Sequence, residues 1–357
     1  MTRERDLCVF CRYAENGASS RLRFFRYRPF LEAAGIRTAY HSFFDAAYLE
    51  DLYAGKPRGA GGLWRGFRRR VRELSRCAPD AVFLVEYELF PLMPGWAEKF
   101  FFLKNRRFFL NFDDPVWEKY AKLPGLAGKY DSLAEKAAGV IAANALIEER
   151  FRPLNGNLLK LPTAIDLDRY DRAAAGAEKF PRFTVAWIGS PATFPFLREF
   201  LPVLQRMSRV CDFELLMIGK AFWGSLPGVP SRSVEWSEAE EAGLLARCHA
   251  GIMPLPDTAF ARGKSAYKLI QYAGAGIPAL ASPVGENARV VVPGETGSLC
   301  RTPEEWCDAL RRLAEEPELR EAMGRRARLK AEEWSLKRHA ARLADFLFPE
   351  EKPEPDR

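Results

Sequence analysis

Residues 263–287, "GKSAYKLIQYAGAGIPALASPVGEN", hold the pattern on which the fold prediction depends. Lys264, Lys268 and Gln271 fall at i, i+4 and i+7, so on a helix they share one face. The small residues from Ala273 to Gly276 weaken a helix, and "IPALAS" is typical of a short buried strand. The stretch therefore predicts a helix, then a strand, with "PVGEN" as the loop at the carboxyl end of that strand.

The same alternation extends over most of the 357 residues. Apolar strands such as "LCVFC", "DAVFLVEY" and "RRFFLNF" alternate with longer amphipathic segments, and the pattern restarts with "FTVAWIGS" after the polar linker "DLDRYDRAAAGAEKFPR". Alternation of this kind is typical of parallel βαβ units. We predict an α/β protein with two Rossmann-like domains whose parallel sheets face each other across a cleft, with ligands beyond the carboxyl ends of the strands.

Domain boundaries follow from this restart and from the composition. We predict a first domain over residues 1–163, a second over 164–334, a last helix over 335–348 and a disordered tail over 349–357.

The charge is divided unequally between the halves. Residues 1–163 hold 27 Lys and Arg against 19 Asp and Glu, whereas the rest holds 27 against 28. A basic first half indicates an anionic partner, which could be a nucleic acid, a membrane surface or a phosphorylated substrate.

Cysteine usage and the first residues indicate a cytoplasmic protein. The seven scattered cysteines do not form a disulfide framework, and the chain shows neither an apolar leader nor a bilayer-spanning stretch. Cys8 and Cys11 form a C-x-x-C, but within a strand they point to opposite faces. We therefore interpret them as buried reduced thiols rather than as a zinc or redox site. His41 ends an early strand and is interpreted as structural.

The second half contains a candidate anion site. Ser190 and Thr193 follow the strand that ends at Gly189 and precede a helix, where backbone N–H groups and hydroxyls bind phosphate. The alternative is an ordinary N-cap. Lys264 and Lys268 would bring ammonium groups to this site, and Gln271 could bond a ribose or a base edge. For that helix the alternative is a solvated amphipathic face.

The first half contains two candidate sites at strand ends. In "GASSRLR", Gly17 permits a tight turn, and Ser19, Ser20, Arg21 and Arg23 offer donors to an anionic acceptor or to phosphate; the alternative is a capped helix start with solvated arginines. Asp113 and Asp114 end the strand "RRFFLNF" and could orient an acceptor hydroxyl. The alternative for this pair is a helix N-cap before Pro115.

A basic amphipathic helix is predicted around residues 61–76. Trp64, Phe67, Val71 and Leu74 would make one face, and six arginines surround it. Helices of this composition lie on anionic membranes. A core-facing stripe with a solvated basic back fits the same spacing.

The motifs and their order resemble the GT-B glycosyltransferases of the large retaining group known as family 4. The resemblance rests on "KLIQYAGAGIPALASPVGENARVVVPGETGSLC", "VAWIGSPAT", "LPTAIDLDRY", "GASSRLRFFRYRPFLEAAGI" and "LNFDDPVW", and it extends to about residue 346. It implies that the second domain binds a nucleotide-sugar and that the first domain holds the acceptor. It also implies that the final helix crosses back to the first domain.

The resemblance assigns roles to individual residues. The diphosphate would lie against Gly17, Ser190, Thr193 and the basic side chains of Arg262, Lys264 and Lys268. The base would meet the loop after Gly219 and Trp236. Members of the family often carry two glutamates where this chain has Gly263 and Gln271, so Asp257 or Glu286 would supply the carboxylate that binds the donor sugar.

The sequence thus predicts a metal-independent hexosyltransferase that retains the anomeric configuration, with Lys268, Asp113 and Asp114 as catalytic residues. It would act in cell-surface glycan, glycolipid or secondary-metabolite glycosylation, in the cytoplasm or peripherally at the inner face of the membrane. The acceptor would be anionic or lipid-linked, and we expect no cofactor, no metal and no nucleic acid partner. The alternative is a catalytically inactive nucleotide-sugar-binding or scaffold protein of the same fold.

Overall fold

The computed structural model describes residues 5–53, 60–219 and 224–349. The chain forms two compact units. The first consists of Met1–Ala164 together with Leu336–Arg357, and the second of Ile165–Ser335. From residue 350 onward the predicted disordered tail lies outside the described residues.

A six-stranded sheet lies at the centre of the first unit. The order is β2-β1-β3-β4-β5-β6, and all neighbouring strands are parallel. The strands are β1 (Arg5–Tyr13), β2 (Ile36–Phe44), β3 (Val82–Glu86), β4 (Phe108–Phe112), β5 (Gly139–Ala142) and β6 (Leu158–Lys160).

Helices connect these strands. They are α1 (Ala18–Arg23), α2 (Arg28–Ala33), α3 (Ala46–Tyr53), α4 (Ala60–Leu74), α5 (Gly95–Glu98), α6 (Trp117–Tyr120), α7 (Lys129–Ala134) and α8 (Ala145–Phe151), with a 3-10 turn at Phe25–Tyr27 and a π-helical turn at Lys99–Leu103. Both faces of the sheet are covered, because Cys8 and Phe10 of β1 pack into one core cluster and Val9 and Cys11 into another. The prediction that Cys8 and Cys11 face opposite ways is therefore confirmed.

The position of α4 corrects one prediction. Trp64 and Val71 are 69% and 47% exposed, so they do not share a buried face with Phe67 and Leu74. The buried face instead includes Arg70, which is 1% exposed and donates from Nη2 to the Cys11 carbonyl at 2.8 Å. The core-facing alternative is not met, because the buried face of α4 holds the guanidinium of Arg70 against the rings of Phe10 and Phe43. The membrane-lying alternative stays a prediction.

The second unit is built on the same plan. Its six strands have the order β12-β11-β10-β7-β8-β9, and all neighbours are parallel. They are β7 (Thr184–Gly189), β8 (Glu214–Gly219), β9 (Ser231–Glu235), β10 (Ala250–Met253), β11 (Ala279–Ala281) and β12 (Gly297–Leu299).

The helices of the second unit cover both faces of this sheet. They are α9 (Leu167–Ala174), α10 (Phe194–Glu199), α11 (Leu201–Val210), α12 (Glu241–Arg247), α13 (Ala259–Arg262), α14 (Tyr267–Gly274), α15 (Asn287–Val290), α16 (Pro303–Glu315) and α17 (Pro317–Lys330), followed by a 3-10 turn at Ala331–Trp334. Within β7, Val185 and Trp187 pack on one side, and Ala186 and Ile188 on the other.

The last helix, α18 (Leu336–Leu347), belongs to the first unit. Leu336, Leu343 and Leu347 are buried in the same cluster as Val9 of β1. Arg342 donates from Nη2 to the Lys160 carbonyl at 3.0 Å. No helix in the described parts of the chain is both long enough and apolar enough to cross a lipid bilayer.

Strand order places one switch point in each unit. In the first sheet the chain leaves β1 toward β2 and returns to its other side as β3; in the second it leaves β7 toward β8 and returns as β10. Ligands of open parallel sheets bind beyond the carboxyl ends of the strands at such a point. We therefore expect a ligand-binding site in the loops after β1 and β3 of the first unit and in those after β7 and β10 of the second.

Candidate functional site

The turn after β7 is tightly built at the switch point of the second unit. The Thr193 hydroxyl accepts from the Ser190 amide at 3.0 Å and donates to the Ser190 carbonyl at 3.1 Å. Gly189 has no room for a side chain, since an added Cβ would lie 2.3 Å from the Trp187 ring and 2.8 Å from the Thr193 hydroxyl. The backbone there can approach a ligand closely, while the Thr193 hydroxyl is engaged in holding the turn.

Lys268 lies beside this turn. Its Nζ is 5.7 Å from the centroid of the Trp187 ring, the same ring that packs against Gly189. Lys268 is the second residue of α14, where the helix dipole disfavours a cation and favours an anion. An anionic ligand at this position would compensate both the ammonium and the helix N-terminus.

The structure corrects the predicted helical face. Because α14 begins at Tyr267, Lys264 lies in the preceding loop and does not continue the face of Lys268. Ala266 stands between them with φ of 51°, a left-handed conformation that costs a non-glycine residue of order 1–3 kcal/mol. Lys264 instead places its Nζ 4.5 Å from the Phe260 ring centroid. Strain of this kind is often found where a loop is held in shape for a ligand.

Arg262 and Asp257, expected at the diphosphate and the donor sugar, pair with each other. Arg262 donates to both carboxylate oxygens of Asp257 at 2.6 and 3.0 Å, and this exposed ion pair holds the pKa of Asp257 below its usual value. Glu286 lies at the start of α15, with an oxygen 3.6 Å from Arg289. Gly285, just before it, would place an added Cβ 2.3 Å from the Arg262 carbonyl, so these two loops are in direct contact.

The described residues expected to bind the nucleoside are buried or half-buried. Gln271 is 3% exposed. The indole of Trp236 donates to Glu241 Oε2 at 2.6 Å, and the Trp236 amide donates to the carbonyl of Gly219 at 2.9 Å. Residues 220–223, where the base was expected, lie outside the described residues.

The first unit holds a cluster of carboxylates and hydroxyls at its switch point. The Ser19 hydroxyl lies 2.9 Å from Glu86 Oε1 and 2.8 Å from Asp113 Oδ2. Ser20 donates to Glu86 Oε2 at 2.6 Å, and Tyr87 donates its phenolic hydrogen to the other oxygen of Asp113. The cluster thus joins α1, the helix after β1, to the ends of β3 and β4.

One proton must be shared within this cluster. A hydroxyl has a single hydrogen, so Ser19 can donate to only one of its two carboxylate neighbours. Burial, and the negative charge of Asp113, raise the pKa of Glu86 to about 7. A protonated Glu86 donates to Ser19, which then donates to Asp113. The arrangement links a buried proton to Asp113, the carboxylate expected to face the acceptor.

A buried ionic network holds the loop after β3. Lys129 Nζ lies 2.6 Å from Glu88 Oε2 and 2.6 Å from Glu98 Oε1, and all three side chains are at most 2% exposed. Glu98 in turn accepts from the amides of Leu89 and Phe90, each at 3.1 Å. Glu88 directly follows Tyr87, and the Leu92 amide donates to the Tyr120 hydroxyl, which donates to Glu88. Tyr87 and Leu92 have φ of 63° and 65°. It supports a strained loop that carries the Tyr87 donor.

The other predicted residues of the first unit have different environments. Gly17 precedes α1, where an added Cβ would lie 2.6 Å from the Tyr13 Cβ. Arg23 is 2% exposed and donates to Asn111 and to the Leu161 carbonyl, so its side chain is held inside the first unit, and its contact with an acceptor or phosphate stays a prediction. Arg21 is 8% exposed, and Asp114 is half-buried beside Asp113.

Glu86→Gln tests the raised pKa. The pKa of Glu86 is about 7 in the folded chain and 4.5 ordinarily. Between pH 4.5 and pH 7, Glu86 therefore keeps a proton in the folded chain that it has lost in the unfolded chain. The contribution of Glu86 to stability therefore falls as pH rises from about 4.5 through 7, by about 3 kcal/mol in total. Glutamine cannot ionise. We expect Glu86→Gln to match the wild type near pH 5 and to be more stable above pH 8 in urea unfolding.

Glu118→Gln is the matched control, because Glu118 is an exposed glutamate on α6. It should leave the pH dependence of unfolding unchanged. Since burial also raises the pKa of Glu98 to about 7, the wild-type curve contains both carboxyls, and only the difference between variants isolates Glu86. Identical slopes for wild type and Glu86→Gln would contradict the assignment.

Comparison with known proteins shows which fold this architecture belongs to. A family model described as glycosyl transferase-like matches residues 198–345. Comparison with curated protein sequences gives no match. Sucrose-phosphate synthase from Thermosynechococcus elongatus shares 14% identity and a TM-score of 0.65, over 96% of this chain and 98% of that one. The chain has the GT-B fold.

Further GT-B structures cover nearly the whole chain. HepE from Anabaena, solved with UDP-glucose, has 13% identity and a TM-score of 0.67, over 96% of this chain and 99% of HepE. The UDP-forming trehalose-phosphate synthase from Burkholderia xenovorans has 12% identity and a TM-score of 0.67, over 97% and 99%. The prediction of two Rossmann-like domains of the GT-B type is confirmed.

Proposed function

We propose that the protein is a glycosyltransferase that moves a sugar from a nucleotide-diphosphate sugar to an acceptor hydroxyl. The observation that carries the proposal is Lys268, held over Trp187 beside the glycine turn at the switch point of the second unit. The glycosyl transferase-like family model, which matches residues 198–345, includes Lys268. HepE was solved with UDP-glucose, which makes UDP-sugars the first donors to test.

The second unit would bind the donor and stabilise its departing diphosphate. Lys268, over the Trp187 ring, supplies positive charge beside the turn at Ser190–Thr193, and Lys264 lies four residues before it in the adjoining loop. Preorganised cations of this kind act on charge that develops in the transition state. We propose that transfer retains the anomeric configuration, with the acceptor hydroxyl attacking on the face from which the diphosphate leaves, and without a metal.

The first unit would hold the acceptor. Asp113 and Asp114 lie at the end of β4, and Asp113 is positioned by Ser19 and Tyr87. A positioned carboxylate can orient a hydroxyl and accept its hydrogen bond. The adjoining Glu86, whose pKa is raised to about 7, would set whether Ser19 donates to Asp113 or to Glu86.

The acceptor is proposed to be anionic or lipid-linked, as in family 4 enzymes of cell-surface glycan, glycolipid or secondary-metabolite glycosylation. The support is α4, where Trp64 is 69% exposed and Arg65, Arg68 and Arg72 lie on the solvent side. Aromatic and basic side chains together favour the surface of anionic membranes. Binding to vesicles with and without anionic lipid would test this peripheral contact.

A donor screen tests the proposed function. A ligand that binds only the folded state raises the apparent stability by about 2.7 kcal/mol at a hundred times its Kd. We expect one of the UDP-, GDP-, dTDP- or ADP-sugars to raise the melting temperature, and the same donor to be consumed when an acceptor is supplied. No shift with any of them would contradict the proposal.

A catalytically inactive binding protein is the second candidate. It is favoured by Gly263 and Gln271, which stand where related enzymes often carry glutamates. A donor that stabilises the protein, but is neither hydrolysed nor transferred to any of a panel of acceptors, would favour this alternative.

A further inference from the structure

Three metal-binding side chains meet in the first unit, away from the carboxyl ends of the strands. Cys8 lies in β1, His41 in β2, and Cys77 in the turn that follows α4. The two sulfur atoms and one ring nitrogen of His41 all lie within 4.8 Å of one another. The parallel register pairs Cys8 with Ala39 and Phe10 with His41, so Cys8 and His41 share one face of the sheet.

The spacing of these atoms is close to that of a zinc site. Zinc binds thiolate sulfur at about 2.3 Å and imidazole nitrogen at about 2.0 Å in a tetrahedron, which puts neighbouring ligand atoms roughly 3.5–3.8 Å apart. Since the present separations are at most 4.8 Å, the contraction needed is at most about 1.3 Å. Cys77 can supply it, because it is half-buried and lies outside any helix or strand.

His41 has a carboxylate near one ring nitrogen and an aromatic ring against its face. Its Nδ1 lies 3.8 Å from Glu73 Oε1, and its ring stacks on Phe10 with centroids 5.2 Å apart. Its Nε2 is buried and makes no hydrogen bond within the part of the chain that the structure describes. Metal-binding histidines commonly have one nitrogen near a carboxylate, which orients the ring.

One side of the cluster is open. A cavity of about 300 Å³ is lined by Cys8, His41 and Cys77, together with Glu73 and Arg76. Closed four-ligand sites are typical of structural zinc, whereas three protein ligands and an open position are typical of exchangeable or reactive zinc. The cavity provides space for a water or a small ligand in the fourth position.

We propose that Cys8, His41 and Cys77 bind one soft divalent cation of the zinc class, with the fourth position open to this cavity. The two thiol protons pass to solvent on binding, so the cation and two thiolates form a neutral group. Cys77 comes three residues after the end of α4, and the site would fasten this end of the helix to β1 and β2. Cys8 lies five residues before the end of β1, about 16 Å from its carboxyl edge. The site is therefore separate from the proposed glycosyl-transfer residues.

Cobalt is the probe that tests the site, because tetrahedral thiolate coordination gives it a strong and specific visible absorption. The full chain is reduced, stripped with EDTA and titrated with Co²⁺, and Zn²⁺ is then added to displace it. We expect one equivalent of each metal. Cys77→Ser and His41→Ala should each weaken binding at least tenfold, whereas Cys77→His, which restores a ligand atom, should recover it with a changed spectrum.

Two variants serve as controls. Cys211→Ser removes another half-buried thiol, and Cys11→Ala removes the second cysteine of the C-x-x-C, which packs on the opposite face of β1. Both should bind Co²⁺ as the wild type does, with circular dichroism confirming the fold of every variant. Absence of tetrahedral Co²⁺ absorption in the reduced wild type, or equal binding by Cys77→Ser, overturns the proposal. The proposal is also overturned if Cys8 and Cys77 form a disulfide in air and the reduced protein takes up no metal.

Discussion

Lys268→Ala is expected to lower the turnover of glycosyl transfer by about a hundred- to a thousandfold. The reason is that Lys268 carries an ammonium over the Trp187 ring, which packs on Gly189 of the turn where the departing diphosphate is proposed to lie. The effect should appear in kcat, since the charge that Lys268 meets develops as the bond to the sugar breaks. Initial rates at saturating donor, with the donor found in the screen, measure it.

The chain offers a closely matched control for this variant. Lys337 is the second residue of α18, as Lys268 is of α14, and it is exposed. Lys337→Ala should leave turnover unchanged, and both variants should unfold within about 0.5 kcal/mol of the wild type, as half-buried or exposed lysines usually do. Lys268→Met separates loss of charge from loss of side-chain bulk. Full activity in Lys268→Ala would show that the diphosphate is bound elsewhere.

Lys129→Met is expected to destabilise the first unit by about 3–5 kcal/mol. The substitution leaves Glu88 and Glu98 buried without their shared cation, and the two carboxylates then repel each other. For a unit of this size the loss corresponds to a fall of roughly 10 °C in Tm. Thermal unfolding followed by circular dichroism at pH 8 measures it.

The size of this effect should depend on pH. Burial already raises the pKa of Glu98 to about 7, and removing Lys129 takes away a charge that lowers it. The variant should therefore lose less stability at pH 6, where Glu98 can take up a proton, than at pH 8. Adding Glu88→Gln and Glu98→Gln should restore much of the loss. Lys136→Met, at an exposed lysine just after α7, is the control and should cost little. A pH-independent loss, or none, would contradict the account of this network.

The sequence predicted the fold because its strands are short, apolar and regularly spaced. Segments such as "FFLNF" and "TVAWIG" have no other stable place than the middle of a parallel sheet covered on both sides. The helix start at Tyr267 was missed for a physical reason. Ala266 takes a left-handed conformation without being glycine, so no residue at that position in "GKSAYKLIQ" indicated a break. Lys264 was therefore placed on the helix, although it lies in the loop before it.

The candidate site of the first unit was only half predicted. Ser19 and Asp113 were found from their places at strand ends, whereas Glu86 and Tyr87 were not. A signal existed, since Glu86 is a carboxylate that ends the buried strand "VFLVE". Its partnership with Ser19 spans 67 residues and depends on the strand order, which periodicity does not determine.

The same reason explains why the cluster of Cys8, His41 and Cys77 was not predicted from the sequence. In the sequence, the C-x-x-C gave Cys8 no partner, because Cys11 points to the opposite face of the strand, and His41 was interpreted as structural. Only the pairing of β1 with β2, and the return of the chain after α4, brings the three together. Groups assembled from three separate elements leave no local spacing to recognise.

The return of α18 to the first unit makes the second unit an insert within the first. The insert begins and ends at neighbouring points, because Ile165 and Ser335 form a parallel bridge and the Ile165 amide donates to the Trp334 carbonyl at 2.9 Å. Both chain ends therefore belong to the unit proposed to hold the acceptor. A different second unit could therefore be joined at this one pair of neighbouring crossings without dividing the first unit at any other point.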